Sequence, residues 1–233
     1  MREWKRPSGT FGGDMKKQLV LASASPRRRE LLGSLGLDFV VENSGVPEDT
    51  VDHRSPADFA LELARRKAEA VAARYPDGVV LGADTVVVVG SEILGKPNDT
   101  DDARRMLALI RNRWHLVITG LAVTESREGQ TALRHVETRV RMADYSRNAI
   151  EEYIASGEPL DKAGSYAIQG LGGKLVAGIE GCYTNVVGLP LCEVAEMLRD
   201  LGVEAPAALC TDNAGQPCPR LVDEHGRTRT NKD

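Results

Sequence analysis

Apolar positions along the chain follow two alternating periods. An aliphatic run at 19–22 and a longer run rich in β-branched residues at 79–89 are typical of buried strands. Across 56–75, apolar residues instead return every three or four positions, which predicts an amphipathic helix. Ser55 supplies an N-cap for that helix, and Pro76 ends it.

The two periods continue to about residue 201. Further helices are predicted at 26–35, 99–110, 146–155 and 190–201, and further strands at 39–41, 114–124 and 131–142. The last two strands are expected to pair as a hairpin. Strands interleaved with helices, together with this hairpin, predict an α/β fold with a mixed sheet.

The two ends of the chain lack either period. Residues 1–15 are polar and rich in glycine, and residues 204–233 are polar with scattered prolines. Such segments bury too little apolar surface to offset the entropy of ordering. We therefore expect a flexible leader over 1–15, a folded domain over 16–203 and a disordered tail over 204–233. Cys210 and Cys218 in that tail are interpreted as incidental thiols.

Composition narrows the classes of function. The net charge is −4, which disfavours a general nucleic-acid binder. The four cysteines form no C-x-x-C pair, which disfavours a zinc or redox site. No apolar run approaches the roughly 18 residues that span a bilayer. We expect a soluble protein of the reducing cytoplasm that does not enter a membrane.

Three arginines, Arg27, Arg28 and Arg29, occupy the first turn of the first predicted helix. A helix N-terminus carries partial positive charge and favours acids, so this cluster has the wrong sign. An anion bound there would resolve the conflict, because backbone N–H groups and arginines would both reach it. The alternative is that the arginines extend into solvent or pair with acids such as Glu30.

A carboxylate, Asp84, interrupts the longest β-branched run between Gly82 and Thr85. A buried carboxylate needs a cation, a metal ion or hydrogen-bond donors. The functional interpretation is a metal ligand or general base at the end of a strand. The alternative is a break in the strand, with Asp84 in a solvated turn.

Isolated lysines and one glutamine complete the set of candidates. Lys67 lies on the long helix and Lys96 in a Gly-Lys-Pro turn, and a compact ammonium group suits phosphate oxygens. Gln169 precedes a Gly-rich stretch and offers one donor and one acceptor to a base edge. By composition alone, the favoured interpretation of each is an ordinary solvated surface or loop residue.

Taken in order, these segments resemble the Maf family of nucleoside triphosphate pyrophosphatases. The matching segments are Leu21-Ala22-Ser23-Ala24-Ser25-Pro26-Arg27-Arg28, Ala64-Arg65-Arg66-Lys67-Ala68, Gly82-Ala83-Asp84-Thr85, Gly95-Lys96-Pro97, Asp161-Lys162-Ala163-Gly164, Ile168-Gln169-Gly170 and Val186-Val187-Gly188-Leu189-Pro190. The resemblance implies an inosine-triphosphatase-like fold, in which helices flank an elongated mixed sheet and two lobes enclose a nucleotide cleft. It also implies hydrolysis of a nucleoside triphosphate to the monophosphate and pyrophosphate with Mg²⁺ or Mn²⁺.

The resemblance assigns roles position by position. Asp84 matches the proton-accepting aspartate, and it or Glu48 would bind the metal ion. Ser23, Arg28, Lys67 and Lys96 match residues that line the triphosphate site, and Arg27, Thr85 and Gln169 match positions tied to substrate choice. The Ile-Gln-Gly segment resembles the dTTP/UTP subgroup, and the family often forms homodimers.

Two rival interpretations stay open at this point. One is a nucleotide-sensing or cell-division regulatory binding protein with little turnover, because Maf-like proteins have been associated with inhibition of septum formation. The other is a phosphohydrolase that releases orthophosphate and a diphosphate. The identity of the products separates the two cleavage reactions.

Overall fold

The computed structural model describes residues 17–47 and 55–206. The predicted leader, Glu48 and all but the first three residues of the predicted tail lie outside these residues. No helix in the described part is long and apolar enough to cross a membrane.

Strands and helices alternate along the described chain. The strands are β1 (Gln18–Leu21), β2 (Phe39–Val41), β3 (Gly78–Val89), β4 (Glu92–Leu94), β5 (Trp114–Glu125), β6 (Gln130–Met142) and β7 (Val176–Glu180). The helices are α1 (Pro26–Gly33), α2 (Pro56–Ala72), α3 (Thr100–Ile110), α4 (Arg147–Ala155), α5 (Tyr183–Val187) and α6 (Leu191–Asp200). Short 3₁₀ turns at Glu158–Asp161, Ala163–Ser165 and Gly172–Leu175 join α4 to β7.

The strands form one mixed sheet in the order β2-β1-β3-β5-β6-β7, with β4 added to β3. β1 runs parallel to β2 and β3, and the remaining pairs are antiparallel. β5 and β6 pair along their length as the predicted hairpin. The predicted α/β class with a mixed sheet is confirmed.

The structure corrects one local expectation. Asp84 lies in the middle of β3, not at the end of a strand or in a turn, because β5 pairs with β3 without interruption and places Gly120 opposite Asp84. Two short strands were also not predicted. β4 has three residues between Gly90 and Gly95, and β7 lies inside the Gly-rich stretch, so neither shows a readable period.

Helix α2 packs against one face of the sheet at unusually short range. A Cβ atom added to Gly82 would lie 2.3 Å from the carbonyl oxygen of Ala64, and one added to Gly120 would lie 2.4 Å from that of Ala60. Glycine is therefore required at both positions for this helix to reach the sheet. Small residues line the contact on the helix, and Val20, Ala22, Val80 and Ala122 line it on the strands.

The opposite face carries two separate apolar clusters. The first joins β1 and the start of β3 to α1 and α6, with Leu21, Leu32 and Leu198 fully buried. The second joins the end of β3 to α3 and α4, with Leu107 and Ile110 fully buried. This division agrees with the expected two lobes, and the space between the clusters is the cleft described next.

Candidate active site

The sheet has a gap along one edge of β3. β1 pairs with the first four residues of this strand and β4 with the last three. Within the described ranges, residues 82–86 have no strand partner on that edge. At the start of this gap, the backbone N–H of Ala22 donates to the carbonyl oxygen of Leu81 at 2.8 Å. Because alternate residues of a strand face the same edge, Ala83 and Thr85 direct their backbone groups into the gap.

A cleft of about 910 Å³ opens over this gap. All the predicted site residues that the structure describes line it, although they come from five separate segments of the chain. They are Ser23, Arg27, Arg28, Lys67, Asp84, Thr85, Lys96 and Gln169. The fold thus brings these residues together, and their individual roles remain predictions.

Asp84 and Lys67 form a buried ion pair at the floor of the cleft. Lys67 Nζ lies 2.6 Å from Asp84 Oδ1, and the two side chains are only 8% and 9% exposed. Alternation along β3 turns Asp84 toward α2, and the glycine at 82 lets α2 approach closely enough for Lys67 to reach it. The desolvation of both charges is offset by their short contact. Oδ1 is committed to lysine, so Oδ2 is the oxygen that can accept from a ligand.

The guanidinium of Arg28 is fixed against the cleft wall. Nε donates to the carbonyl of Gly188 at 2.9 Å, and Nη2 donates to Thr85 Oγ1 at 3.1 Å. Nη1 lies 3.5 Å from Ser23 Oγ. Ser25 caps α1 by accepting from the backbone N–H of Arg28. The first turn of α1 therefore presents an ordered arginine beside helical N–H groups, which is an arrangement suited to an anion.

Arg27 reaches toward the other lobe. Its Nη1 lies 3.8 Å from Asp161 Oδ2, and Lys162 also contacts Asp161. Burial acts to raise the pKa of Asp161, but the hydrogen bond from Lys162 and the charges of Lys162 and Arg27 outweigh it and hold the pKa below its ordinary value. Arg29 is exposed, so only two of the three arginines border the cleft.

Lys96 and Gln169 lie at the rim, where both side chains are exposed. The lining also includes apolar side chains, among them Val87, Val117 and Ile168. The cleft therefore combines a charged part at α1 and α2 with an apolar part. Such a division suits a ligand with an anionic part and a flat, weakly polar part.

Tyr166, which lines the cleft, contacts a buried histidine outside the lining. His115 Nε2 lies 2.7 Å from the hydroxyl of Tyr166, and the two rings meet edge to face at 5.3 Å. Burial lowers the pKa of His115 to about 4, so the ring is neutral near pH 7. Burial also raises the pKa of the Tyr166 hydroxyl.

Sequence reasoning missed several residues of the site. His115 carries no pattern in the sequence that points to this region, and it contacts the cleft lining through Tyr166. Asn43 and Ser44 line the cleft from an irregular segment after β2, where no periodic pattern could mark them. Asp161 and Lys162 belong to one of the segments that resemble the Maf family, but they were not predicted from the sequence to be site residues.

The cleft side chains fit a divalent ion that is coordinated mainly by the phosphates of a bound substrate. In the described ranges no three His, Cys, Asp or Glu side chains cluster as a metal site. Asp84 offers one carboxylate oxygen, and Mg²⁺ is commonly held by one or two carboxylates together with substrate phosphates. Glu48, the other predicted ligand, lies outside the described residues.

Comparison with known protein families identifies the family of this chain. The profile of the Maf-like protein family matches residues 18–201. The chain belongs to the Maf family. The Maf match covers both lobes and the whole cleft, so the resemblance noted from the motifs is confirmed.

Several curated Maf relatives align with most of the chain. A protein of Moorella thermoacetica named dTTP/UTP pyrophosphatase is 52% identical over 187 residues, which are 80% of this chain and 96% of the relative. A protein of Geobacter sulfurreducens with the same name is 50% identical over 187 residues, 80% of this chain and 98% of the relative. Among solved structures, a HAM1 protein from Coxiella burnetii is 16% identical, with a TM-score of 0.39 over 55% of this chain and 74% of that chain.

Proposed function

We propose that this protein hydrolyses nucleoside triphosphates, with dTTP and UTP preferred, to the monophosphate and pyrophosphate. The observation that carries the proposal is the meeting, in one cleft, of the cations at α1 and α2 with the buried carboxylate of Asp84. The names of relatives about half identical to this chain support the reaction and the choice of base.

The charged end of the cleft would hold the triphosphate. Arg28 and the N–H groups at the start of α1 would bind phosphate oxygens, with Arg27 and Lys96 nearer the rim. These groups are in place before the substrate arrives, because Arg28 is already hydrogen-bonded to the cleft wall. Positioned charges of this kind stabilise phosphoryl transfer without reorganisation.

Asp84 would accept the proton of the attacking water. Lys67 fixes the orientation of the carboxylate through Oδ1, which leaves Oδ2 to orient the water toward the α-phosphorus. The bond from the α-phosphorus to the bridging oxygen then breaks, and pyrophosphate leaves. Mg²⁺ or Mn²⁺ held by Asp84 and the phosphates would neutralise part of the negative charge.

Gln169 would read the base at the other end. Its side-chain carbonyl can accept from N3–H of uracil or thymine, and its amide can donate to O4. Its exposed position at the rim leaves both groups accessible to a ligand. A cytoplasmic location and a homodimer also stay predictions.

The deciding experiment identifies the products of nucleotide hydrolysis. The protein is treated with a chelator and incubated with dTTP, UTP, CTP, ATP or GTP, with and without added Mg²⁺ or Mn²⁺. Chromatography then separates monophosphate, diphosphate, pyrophosphate and orthophosphate. We expect metal-dependent dTMP or UMP together with pyrophosphate. Formation of a nucleoside diphosphate and orthophosphate would contradict the proposed cleavage site. If none of the nucleotides is hydrolysed, the enzymatic role is contradicted.

A further inference from the structure

A pair of threonines divides the two apolar clusters. On the face of the sheet that carries them, β3 presents apolar residues on both sides of Thr85, and β5 does the same around Thr119. Thr85 and Thr119 are register partners, and their Oγ1 atoms lie 2.9 Å apart. Thr119 is fully buried and is not part of the cleft lining. A hydroxyl at such a position needs a partner, and its partner here is a residue of the site.

The donors of arginine fix the direction of this hydrogen bond. A guanidinium only donates, so Thr85 Oγ1 accepts from Arg28. The single proton of Thr85 then goes to Thr119, because the other acceptor, Gly188 O, is farther away at 3.5 Å and already accepts from Arg28. Thr119 in turn has its own proton to donate.

The far end of the chain of hydrogen bonds is rigid. Thr119 Oγ1 lies 3.4 Å from the carbonyl of Asn185, in α5. The side chain of Asn185 donates to the carbonyl of Val117 at 3.0 Å and to Thr138 Oγ1 at 2.9 Å, which ties α5 to β5 and β6. Donation therefore runs in one direction, from Arg28 through both threonines to a fixed backbone acceptor.

We infer that Thr119 is a positioning residue for substrate binding, a role that rests on the proposed function. It keeps the hydroxyl of Thr85 turned so that a lone pair faces Arg28, and Arg28 is thereby aimed at the phosphates. Without the Thr119 hydroxyl, the one acceptor near Thr85 Oγ1 among the described residues is Gly188 O, for which Thr85 would compete with Arg28.

Two substitutions separate this role from packing. Thr119→Val keeps the shape of the side chain and removes the hydroxyl, whereas Thr119→Ser keeps the hydroxyl and removes a methyl group. We expect Thr119→Val to raise KM for dTTP, and Kd for non-hydrolysable α,β-imido-dTTP, about three- to tenfold, the usual range for one lost hydrogen bond. We expect kcat to change less than about twofold, and Thr119→Ser to stay near wild type. The reverse order, with serine worse than valine, would overturn the inference.

A double-mutant cycle tests the route through Arg28. Because Thr119 acts through that side chain, Thr119→Val should add less than about a twofold change in Kd on an Arg28→Ala background. Full additivity would overturn the inference, and so would a Thr119→Val protein with wild-type KM and Kd. If the wild-type protein binds neither dTTP nor its analogue, the proposed function itself fails. Circular dichroism of each variant confirms folding, and Thr119→Ala, which also lacks the hydroxyl, is compared with Thr119→Ser if the valine variant does not fold.

Discussion

At the scale of the residue, the ion pair of Lys67 and Asp84 is the most consequential contact in the molecule. Two charges are held almost out of solvent, and removing Lys67 would take away the cation that compensates the buried carboxylate of Asp84. Such a buried pair is expected at a site where one of the two side chains also contacts a ligand. The carboxylate oxygen that lysine does not occupy provides that opportunity here.

The first prediction concerns Asp84 itself. Asp84→Asn keeps a carbonyl that accepts from Lys67, so we expect the fold to survive while turnover falls at least about 10²-fold, the scale of one lost acid–base group. Initial rates with dTTP measure the effect. Asp77→Asn, in an exposed ion pair just before the same strand, is the matched control and should keep wild-type rates. Near wild-type turnover of Asp84→Asn would remove the carboxylate from the mechanism.

The proposed base selection depends on one exposed side chain, that of Gln169. Gln169→Glu replaces the amide donor by an acceptor, so O4 of uracil or thymine loses its partner while the amino group of cytosine gains one. We expect the ratio of kcat/KM for UTP over CTP to fall about tenfold or more, in line with about 1–3 kcal/mol for a well-placed polar contact. An unchanged ratio would show that Gln169 does not read the base.

At the scale of the element, α2 determines the geometry of the cleft because it carries Lys67. Its contact with the sheet depends on two strand glycines, at 82 and 120, that face the backbone of the helix. The helix is also well specified locally, since Ser55 caps it and Pro56 begins it. Local signals thus form the helix, and the glycines decide how near to the sheet it lies.

Gly120→Ala should push α2 away from the sheet. The added Cβ would lie 2.4 Å from the backbone carbonyl of Ala60, which cannot move without shifting the helix. We expect the free energy of unfolding to fall by roughly 1–3 kcal/mol, and turnover to fall because Lys67 is displaced. Urea denaturation measures the first effect. The matched control is Gly178→Ala in β7, where a Cβ would meet nothing within 4 Å. Equal stability of the two variants would contradict this view of α2.

The elements show how far the sequence alone leads. Helices α2 and α3 and strands β3, β5 and β6 were predicted because each is long enough for its period to be read. β4 and β7 were not, because their pairing is a tertiary property. In the same way, eight of the residues that line the cleft were predicted from their motifs, whereas Asn43 and Ser44 have no pattern and Thr119 could be found only through strand register.

At the scale of the whole molecule, acid should destabilise the fold through His115. Burial lowers the pKa of His115 from its ordinary value of 6.5 to about 4. Between these two pH values the unfolded chain binds a proton at this ring that the folded chain does not. Stability therefore falls as the pH drops through this window, by roughly 1 kcal/mol per pH unit from this group.

Urea titrations at pH 7, 5.5 and 4.5 measure this dependence. His115→Gln should show a shallower loss of stability with falling pH than the wild type, although it starts from a lower value because Tyr166 loses its partner. His135→Gln, at an exposed position on β6, is the control and should follow the wild-type slope. Parallel slopes for all three proteins would show that His115 does not contribute.

The gap in the edge of β3 also bears on self-association. Unpaired strand edges are templates on which a second chain can add a strand, and sheet proteins protect them. Here the open stretch covers only residues 82–86, it is bounded by β1 and β4, and it lies beside a buried lysine and a fixed arginine. A neutral peptide strand added here would bury the charged side chains that border the gap, which costs free energy, whereas a phosphate chain carries charges of its own. The charged groups that suit an anion would therefore disfavour a neighbouring strand at this edge and limit aggregation there.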